Sequence, residues 1–419
     1  MKRPPPSRER GRPPKSGHRR ALSHLGGPVE TRGLEEVAVR LATIMGGDMD
    51  ADGARAHVHG FHAYPARMHP TLARRAIELM SPMGGTVLDP FCGSGTVLVE
   101  SRLAARQSWG VDLNPLAVLL ARLKSRGATP QELQFILSTA GKVAQHADSR
   151  RREKRGATRR YPAEDVQLFD PHVLLELDGL RDGLGQLHGE FVRDALRLVF
   201  SAILVKVSRQ PGDTSTTSVP RRLAAGFTIA LFEKKADELA QRIDSFRRML
   251  PPRAPVAKVQ QGDARRLDHV PDNSIHFVLS SPPYAGTYDY VEHHRLRLRW
   301  LDMPMDEMQR DEIGARRHLA PLHHTDAVRR FQDDLTRVLT SLRPKLVPDA
   351  RVAMLIADSV VGSDPVWADP LVRRCGDRAG LPWVATASQA RPHFHGPSHR
   401  AFANQPRREH LVVLSRAER

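Results

Sequence analysis

Four consecutive residues, Ser281-Pro282-Pro283-Tyr284, combine groups suited to chemistry on a nucleobase amine. They follow an apolar run, and two successive prolines end a strand and fix the backbone, so the Ser281 hydroxyl and the Pro282 carbonyl point outward at one place. Two such acceptors on an exocyclic amine would bias its nitrogen toward tetrahedral geometry and free its lone pair for attack. Tyr284 would stack on a base rotated out of its duplex. The alternative is a plain turn that ends the strand.

A glycine loop between Asp89 and Thr96 is a candidate cofactor site. Its glycines let backbone N–H groups and a helix N-terminus approach a ligand closely. The loop is not that of dinucleotide enzymes, because Val97 and Leu98 stand where a third glycine would fall. An acid before the loop would repel a pyrophosphate and suits a cationic amino group. We therefore expect S-adenosylmethionine, whose methionyl end carries such a group. The loop residues expected to bind it are Asp89, Pro90, Phe91, Gly93, Gly95 and Thr96.

Two further acids end the next apolar runs. Asp112 lies 23 positions after Asp89, near the spacing at which a carboxylate accepts ribose hydroxyls, and Asn114 follows it as a helix cap. Asp263, followed by Ala264, ends the third run, where the adenine amine could be recognised. Each acid alone could equally be a helix cap or a turn residue. Three in order at three strand ends favour a cofactor site.

The elements that must position these residues alternate between strand and helix, which predicts an α/β fold. We expect a doubly wound, Rossmann-like sheet of about seven strands, whose carboxyl ends hold the site. The predicted strands are 86–89, 108–112, 256–263, 275–281, 351–357, 383–387 and 410–414. The predicted helices near the site begin at Pro70, Val97 and Leu116.

The same patterns divide the chain into four parts. Residues 1–32 read as a basic, disordered tail, rich in proline and poor in apolar residues. Residues 33–124 form the first part of the catalytic domain and carry the glycine loop. Residues 125–250 are a mainly helical insertion that could recognise DNA. Residues 251–419 form the second part and carry the Ser281 loop.

Composition points to a polyanionic partner. The formal net charge is +17 and the isoelectric point about 10.6, although GC-rich codon usage alone could produce the excess of arginine. Two cysteines cannot form a disulfide framework, and no apolar run reaches the roughly 20 residues of a membrane span. Arg295 and Arg299 share one face of a predicted helix and could meet DNA phosphates. Histidines 393, 395 and 399 lack an accompanying cysteine or acid cluster, so we predict no metal.

The Asp-Pro-Phe-x-Gly-x-Gly-Thr loop followed by Ser-Pro-Pro-Tyr resembles the amino-group DNA methyltransferases, which modify cytosine N4 or adenine N6. Phe61, Tyr64 and His69-Pro70 resemble the segment that walls the methionine end of the cofactor in that family, so Tyr64 and His69 join the expected cofactor site. The resemblance covers residues 58–124 and 255–302, and residues 407–414 match the usual last strand. In that family, enzymes with a serine in the first tetrapeptide position tend to modify cytosine N4. Ser281 occupies this position here.

The resemblance implies an S-adenosylmethionine-dependent methyltransferase acting on double-stranded DNA, most simply at cytosine N4. It implies a cytoplasmic protein that associates with the nucleoid through DNA, with a cognate restriction or defence nuclease as a further partner. Adenine N6, or guanine N2 in structured RNA, remains open as the target. A catalytically inactive nucleic-acid-binding protein is the alternative from a different class.

Overall fold

The computed structural model describes residues 27–47, 49–210, 212, 219, 222–391 and 400–416. The strands are β1 (Glu30–Gly33), β2 (Thr86–Asp89), β3 (Gln107–Asp112), β4 (Lys258–Gln261), β5 (Ile275–Ser280), β6 (Leu346–Ala357), β7 (Ser359–Val361), β8 (Asp364–Val366), β9 (Trp383–Ala390) and β10 (Arg408–Ser415). The first nine helices are α1 (Glu35–Met45), α2 (Pro70–Met80), α3 (Thr96–Leu103), α4 (Pro115–Arg126), α5 (Pro130–Arg152), α6 (Ala163–Leu168), α7 (Pro171–Gly185), α8 (Glu190–Val207) and α9 (Phe227–Met249). The remaining helices are α10 (Tyr290–Trp300), α11 (Asp306–Asp311), α12 (Arg316–Leu319), α13 (His324–Leu342) and α14 (Ala368–Ala379).

Eight strands form one mixed sheet in the order β1-β9-β10-β6-β5-β2-β3-β4. The five strands from β6 to β4 are parallel, whereas β10 runs antiparallel to both of its neighbours. The chain runs outward from β2 through β3 to β4, then returns to place β5 and β6 on the other side of β2. The strand order therefore reverses between β2 and β5, which is where open α/β sheets bind ligands. The prediction of a doubly wound α/β fold is confirmed.

All seven predicted strands occur in this sheet, and the eighth was not foreseen. Residues 30–32 were assigned to the tail, but Glu30–Gly33 pairs antiparallel with β9 at the edge of the sheet. All four residues of this strand are exposed, so it carries no alternation of apolar and polar residues that a sequence could reveal. Arg408 of β10 donates to Glu30 and helps to hold the strand. Residues 1–26 of the expected tail, and histidines 393, 395 and 399, lie outside the described residues.

Helices cover both faces of the sheet. Helices α5 to α9, which lie between β3 and β4, share one continuous apolar cluster with α3, α4 and α10. Trp300 is 1% exposed in this cluster, where its ring packs against Tyr161, Phe169 and Phe200. Helices α13 and α14 pack against the sheet in a second cluster. The helical region is thus packed onto the first half of the sheet through a shared core.

In the part of the chain that the structure describes, no helix combines the length and apolar character needed to cross a bilayer.

Gly95 lets the start of α3 pack closely against α4. Its φ is +87°, and a Cβ at this position would lie 2.9 Å from the Cα of Ala121. Gly226 precedes α9 with nearly the same φ, +85°, but a Cβ there would meet nothing within 4 Å. The two glycines therefore separate the cost of backbone strain from the cost of overpacking.

We expect Gly226→Ala to lower the free energy of unfolding by about 1–2 kcal/mol, from the left-handed backbone alone. Gly95→Ala should cost a further 1–3 kcal/mol or so, because the new methyl group overlaps α4. Denaturant unfolding of both variants measures the difference. Equal losses would show that α3 and α4 are not packed as closely as described.

Candidate active site

The carboxyl ends of β2 and β5 are joined by a side-chain hydrogen bond. The two strands are parallel neighbours, with Leu88 opposite Val278. At their ends the buried Ser280 hydroxyl donates to Asp89 Oδ1 at 2.6 Å. The glycine loop starts directly after Asp89 and the Ser281 loop directly after Ser280. Two loops that lie 191 residues apart along the chain therefore begin from one point.

A pocket of about 700 Å³, including the part open to solvent, lies at this point, and we call it the main pocket. Both loops contribute to its wall, since Gly93 and Ser281 line it together. The expected site residues that line it are Tyr64, Pro90, Phe91, Gly93, Asp112, Asn114, Asp263, Ala264, Ser281 and Pro283.

Gly93 leaves room for Tyr64 beside the loop. Its φ is +48°, and a Cβ at this position would lie 3.3 Å from a ring carbon of Tyr64. The Tyr64 ring also stacks on His294, with 4.9 Å between ring centroids, and on Tyr290. Tyr64 thus forms an aromatic wall of the main pocket next to bare loop backbone.

Asp112 binds the glycine loop as well as lining the pocket. Its Oδ2 accepts from the Gly93 N–H at 2.8 Å, and its Oδ1 accepts from the Asn114 N–H at 2.9 Å. Burial raises the pKa of Asp112 to about 6, although both hydrogen bonds lower it. The Asn114 side chain caps α4 by accepting from the Leu116 N–H, as its position before Pro115 predicts. The cap fixes where the Asp112 carboxylate faces.

Asp263 lines the main pocket, but its carboxylate is also part of an ion-pair cluster. Arg265 donates to Oδ1 from Nε at 3.1 Å and to Oδ2 from Nη2 at 2.7 Å, and its Nη1 donates to Asp334. The expected contact of Asp263 with an adenine amine would therefore use carboxylate lone pairs that do not accept a hydrogen bond from Arg265. The sequence did not reveal Asp334 as a member of this cluster, because it lies on α13, 71 residues after Asp263.

Asp89 lies deeper than Asp112, in a smaller cavity that adjoins the main pocket and shares Tyr64, Gly93 and Ser281 with it. Thr96 lines the same small cavity. Burial raises the pKa of Asp89 to about 7, against the opposing effect of the bonds from Ser280 and the Phe91 N–H. The Asp89 carboxyl therefore changes charge near neutral pH.

Three further expected site residues, besides Asp89, Thr96 and Tyr284, lie outside the main pocket. His69 caps α2: its Nδ1 accepts from the Thr71 N–H, and its Nε2 lies 2.9 Å from the Asp50 carbonyl. Both ring nitrogens are thus engaged, although the ring lines a cavity together with Ser281, and its assignment to the cofactor stays a prediction. Gly95 faces α4, and Pro282 is buried behind the loop surface.

Tyr284 lies in a third cavity, which we call the Tyr284 cavity, and which shares Ser281 and Ala66 with the main pocket. Tyr284 is 8% exposed, and its hydroxyl donates to Glu409 Oε1 at 3.0 Å. If Tyr284 stacks on a target base as expected, it does so with a ring whose hydroxyl group is already hydrogen-bonded to Glu409.

The two arginines expected at DNA phosphates have different surroundings. Arg295 is exposed on α10 and pairs with Glu292 of the same helix. Arg299 is only 20% exposed and donates to Asp165 and Glu164 of α6. Arg299 thus joins α10 to the helical region, and a phosphate would have to compete with two carboxylates for it and with one for Arg295. The contact of both arginines with DNA stays a prediction.

Sequence reasoning missed the residues of the main pocket that carry no motif. They are Pro65, Ala66, Leu113, Tyr290, Met308, Asp311, Glu312 and Ile313. The segment 308–313 follows the Ser281 loop at a distance, and nothing in its composition marks it as a pocket wall. Ala66 has a signal only in the structure, a φ of +52° that non-glycine residues rarely adopt.

Among the described residues, one group could offer ligand atoms to a metal ion: His57, His59 and Glu100. Glu100 already accepts from Arg74 Nε at 3.0 Å, and His59 Nε2 lies 2.7 Å from its other oxygen. Burial lowers the pKa of the His59 imidazole well below its usual range, and the neighbouring Lys124 contributes to the shift. We interpret the group as a buried hydrogen-bond cluster in a cationic setting.

A family model described as DNA methylase, for enzymes of the N6 and N4 type, matches residues 46–122. The type II methyltransferase M.MvaI of Kocuria varians is 25% identical over 271 residues, which are 59% of this chain and 58% of that protein. The type II methyltransferase M.MjaII of Methanocaldococcus jannaschii is 36% identical over 81 residues, 19% of this chain and 15% of that protein. The chain thus spans little more than half of the first relative and a small part of the second.

A tRNA (guanine(10)-N2)-dimethyltransferase of Methanothermobacter thermautotrophicus is 40% identical over 62 residues, 15% of this chain and 18% of that protein. Among solved structures, the rRNA methyltransferase aviRa of Streptomyces viridochromogenes matches with a TM-score of 0.34 and 14% identity, covering 88% of this chain and 94% of that one.

The family implies S-adenosylmethionine as cofactor, and the residues of the main pocket fit it. Bare backbone at Gly93 and an aromatic wall at Tyr64 accept a flat or flexible ligand closely. Asp112 offers a half-buried carboxylate for hydroxyl groups, and Asp89 in the adjoining cavity offers a buried one for a cationic amine. These acceptors thus suit a ligand that carries a cationic amine and hydroxyl groups.

The match of residues 46–122 falls on the segment that holds the Tyr64 wall and the glycine loop, and the strand order places that loop beside Ser281. Over this segment the chain is therefore similar to the amino-group DNA methyltransferases.

Proposed function

We propose that this chain is a DNA methyltransferase that transfers a methyl group from S-adenosylmethionine to the exocyclic amine of a flipped base, namely N4 of cytosine. One observation carries the proposal: Ser281 and Pro283 line the same pocket as Gly93 and Asp112. A base amine held at Ser281 would therefore stand next to the ligand held by the glycine loop.

The residues of the chain act mainly by position. Asp112 would hold hydroxyl groups of the ligand, and Asp89 its amino group. The Ser281 hydroxyl and the Pro282 carbonyl would accept the two hydrogens of the target amine and direct its lone pair into the pocket. When bound, the cofactor supplies a methyl group on a positively charged sulfur. The target nitrogen would bond the methyl carbon as the carbon–sulfur bond breaks and its electron pair returns to sulfur, which leaves as a neutral thioether. The methylated amine would then release one proton to solvent.

Cytosine is preferred over adenine because the first residue of the tetrapeptide is a serine. In the family that this chain resembles, serine at this position leans toward cytosine N4, whereas aspartate or asparagine leans toward adenine N6. Adenine N6 is the alternative within the same reaction class.

Double-stranded DNA is the proposed substrate, and positive charge supports it. The net charge of +17 favours binding to a polyanion, and Arg295 is exposed on the helix that follows the Ser281 loop. The helical region 125–250 is the proposed recognition region. Much of its basic run is paired internally, since Arg150 bonds Asp178 and Arg151 bonds Asp148. Other side chains of residues 125–250 would therefore make the contacts with DNA bases.

Binding to DNA would place the chain on the nucleoid in the cytoplasm. A cognate nuclease is proposed as its partner, because a methyl mark at a shared target site protects DNA from such an enzyme.

Structured RNA is the second candidate substrate. It is favoured by the 40% identity over 62 residues with the relative named as a tRNA (guanine(10)-N2)-dimethyltransferase. The proposed chemistry at Ser281 would be the same, because guanine N2 is also an exocyclic amine.

Incubation with labelled S-adenosylmethionine and duplex DNA should yield N4-methylcytosine, resolved as a nucleoside by mass spectrometry. Label only in N6-methyladenine would reject the base assignment. Label in RNA but in no DNA would replace DNA with the second candidate.

Two substitutions should separate the two loops. Ser281→Ala should lower kcat by about 10- to 100-fold and leave cofactor affinity nearly unchanged, because it removes one acceptor of the target amine. Asp89→Ala should weaken cofactor binding by a similar factor, because a cationic amine loses its carboxylate. Calorimetric titration of the cofactor and steady-state rates measure both.

The matched control is Ser274→Ala, which removes a hydroxyl near the opposite end of β5, where it donates to the Pro271 carbonyl. This variant should keep both affinity and kcat. The reverse pattern for Ser281 and Asp89 would mean that the roles of the two loops are exchanged.

Cofactor affinity should depend on pH through Asp89, whose pKa is about 7. The ionised carboxylate attracts the ligand amine, and protonation removes that attraction. Affinity should therefore be constant above pH 7 and fall as pH drops below it, approaching tenfold per unit. Ser280→Ala should move the midpoint to higher pH, because the Ser280 hydroxyl stabilises the ionised form. Titrations between pH 5.5 and 7.5 test this, and an affinity that is flat over that range would exclude Asp89 from the contact.

A further inference from the structure

Tyr284 is anchored by a residue from the last strand of the sheet. Its hydroxyl donates to Glu409 Oε1 at 3.0 Å, and Glu409 lies on β10, 125 positions further along the chain. Both side chains are buried, Tyr284 at 8% and Glu409 at 5% exposure. The two residues line the Tyr284 cavity together with Ser281.

Glu409 is in turn held by Arg391, which directly follows β9. Arg391 Nη1 donates to the same Glu409 oxygen at 2.5 Å, and Arg391 is 4% exposed. Among the described residues, Arg391 Nε has no hydrogen-bond partner. A buried ion pair with an unsatisfied N–H contributes little net stability, because desolvation offsets its attraction. The arrangement therefore points to a role other than holding the fold.

That role follows from where Tyr284 stands in the chain. Pro282 and Pro283 restrict the backbone before it, and the Glu409 bond fixes the side chain after them. The Ser281 loop is thus held at both ends, at Ser280 by Asp89 and at Tyr284 by Glu409. A side chain held this way keeps the acceptors of the loop in place without reorganisation during the reaction.

We propose that Glu409 and Arg391 are positioning residues that hold Tyr284, and through it the Ser281 loop, in the geometry needed to receive the target amine. The inference rests on the proposed function, since it names what orients the catalytic loop. Burial, with the nearby Glu409 charge, raises the pKa of the Tyr284 phenol, so its hydroxyl remains a donor throughout the working pH range.

The contact can be measured without activity. The chain contains five tyrosines, so labelling with 3-fluorotyrosine gives a fluorine NMR spectrum that can be resolved, and Tyr284→Phe identifies the Tyr284 signal. Glu409→Gln should shift that signal, because it removes the charge next to the hydroxyl. The matched control is Glu30→Gln, which breaks the ion pair to Arg408, the neighbouring residue on β10, and should leave the signal in place.

Rates then test the positioning. Tyr284→Phe and Glu409→Gln should each lower kcat by about tenfold, with the cofactor dissociation constant nearly unchanged. Glu409→Gln should also lower the unfolding midpoint, because it leaves the buried Arg391 charge without its partner, so rates are compared well below that midpoint. The double variant should be little slower than either single variant, because both remove one interaction. Glu30→Gln should match the wild type.

A Tyr284 signal that Glu409→Gln leaves unmoved would overturn the inference, as would wild-type kcat in both single variants. Wild-type protein that methylates neither DNA nor RNA would instead overturn the proposed function, and the fluorine spectrum would still decide whether Glu409 holds Tyr284.

Discussion

The arrangement of the site depends on the hydrogen bond between Ser280 and Asp89 at the point where the strand order reverses. Parallel strands bring their carboxyl ends to one edge, but only neighbouring strands bring them within reach of a side chain. Because β2 and β5 are neighbours, the loop that follows each strand opens into one pocket. A sheet in which another strand separated them would place the same two motifs in different cavities.

Burial gives that edge its electrostatic character. Asp89 and Asp112 are both removed from water, and desolvation raises the pKa of each carboxyl into or near the neutral range. A buried carboxylate is costly unless a donor satisfies it, and each of these two acids accepts two hydrogen bonds from the loops around it. Asp263 differs, because Arg265 compensates its charge within the protein. The three acids that look alike in sequence therefore have three different environments.

Elements far from the loops in sequence hold the catalytic segment in place. The last two strands reach Tyr284 through Glu409 and Arg391. Helix α10, which follows the Ser281 loop, is anchored to the helical region by Trp300 and by the contact of Arg299 with Asp165. The loop is thus connected to both the sheet and the helical region, so a movement of either would be transmitted to the acceptors at Ser281.

The sequence by itself determined the strands, the two loops and their neighbourhood, because apolar runs ending in Asp89, Asp112 and Ser281 are local patterns that backbone chemistry dictates. Ten of the expected residues line one pocket as a result. Only the tertiary structure decided the partners of those residues. Glu409 lies beside Tyr284, and Asp334 joins the pair of Arg265 and Asp263, because of which strands and helices lie side by side. Contacts between residues 69 and 125 positions apart leave no periodic trace in the chain. The edge strand Glu30–Gly33 was not predicted, because its four residues are exposed and show no apolar pattern. They form a strand only because β9 offers a pairing partner.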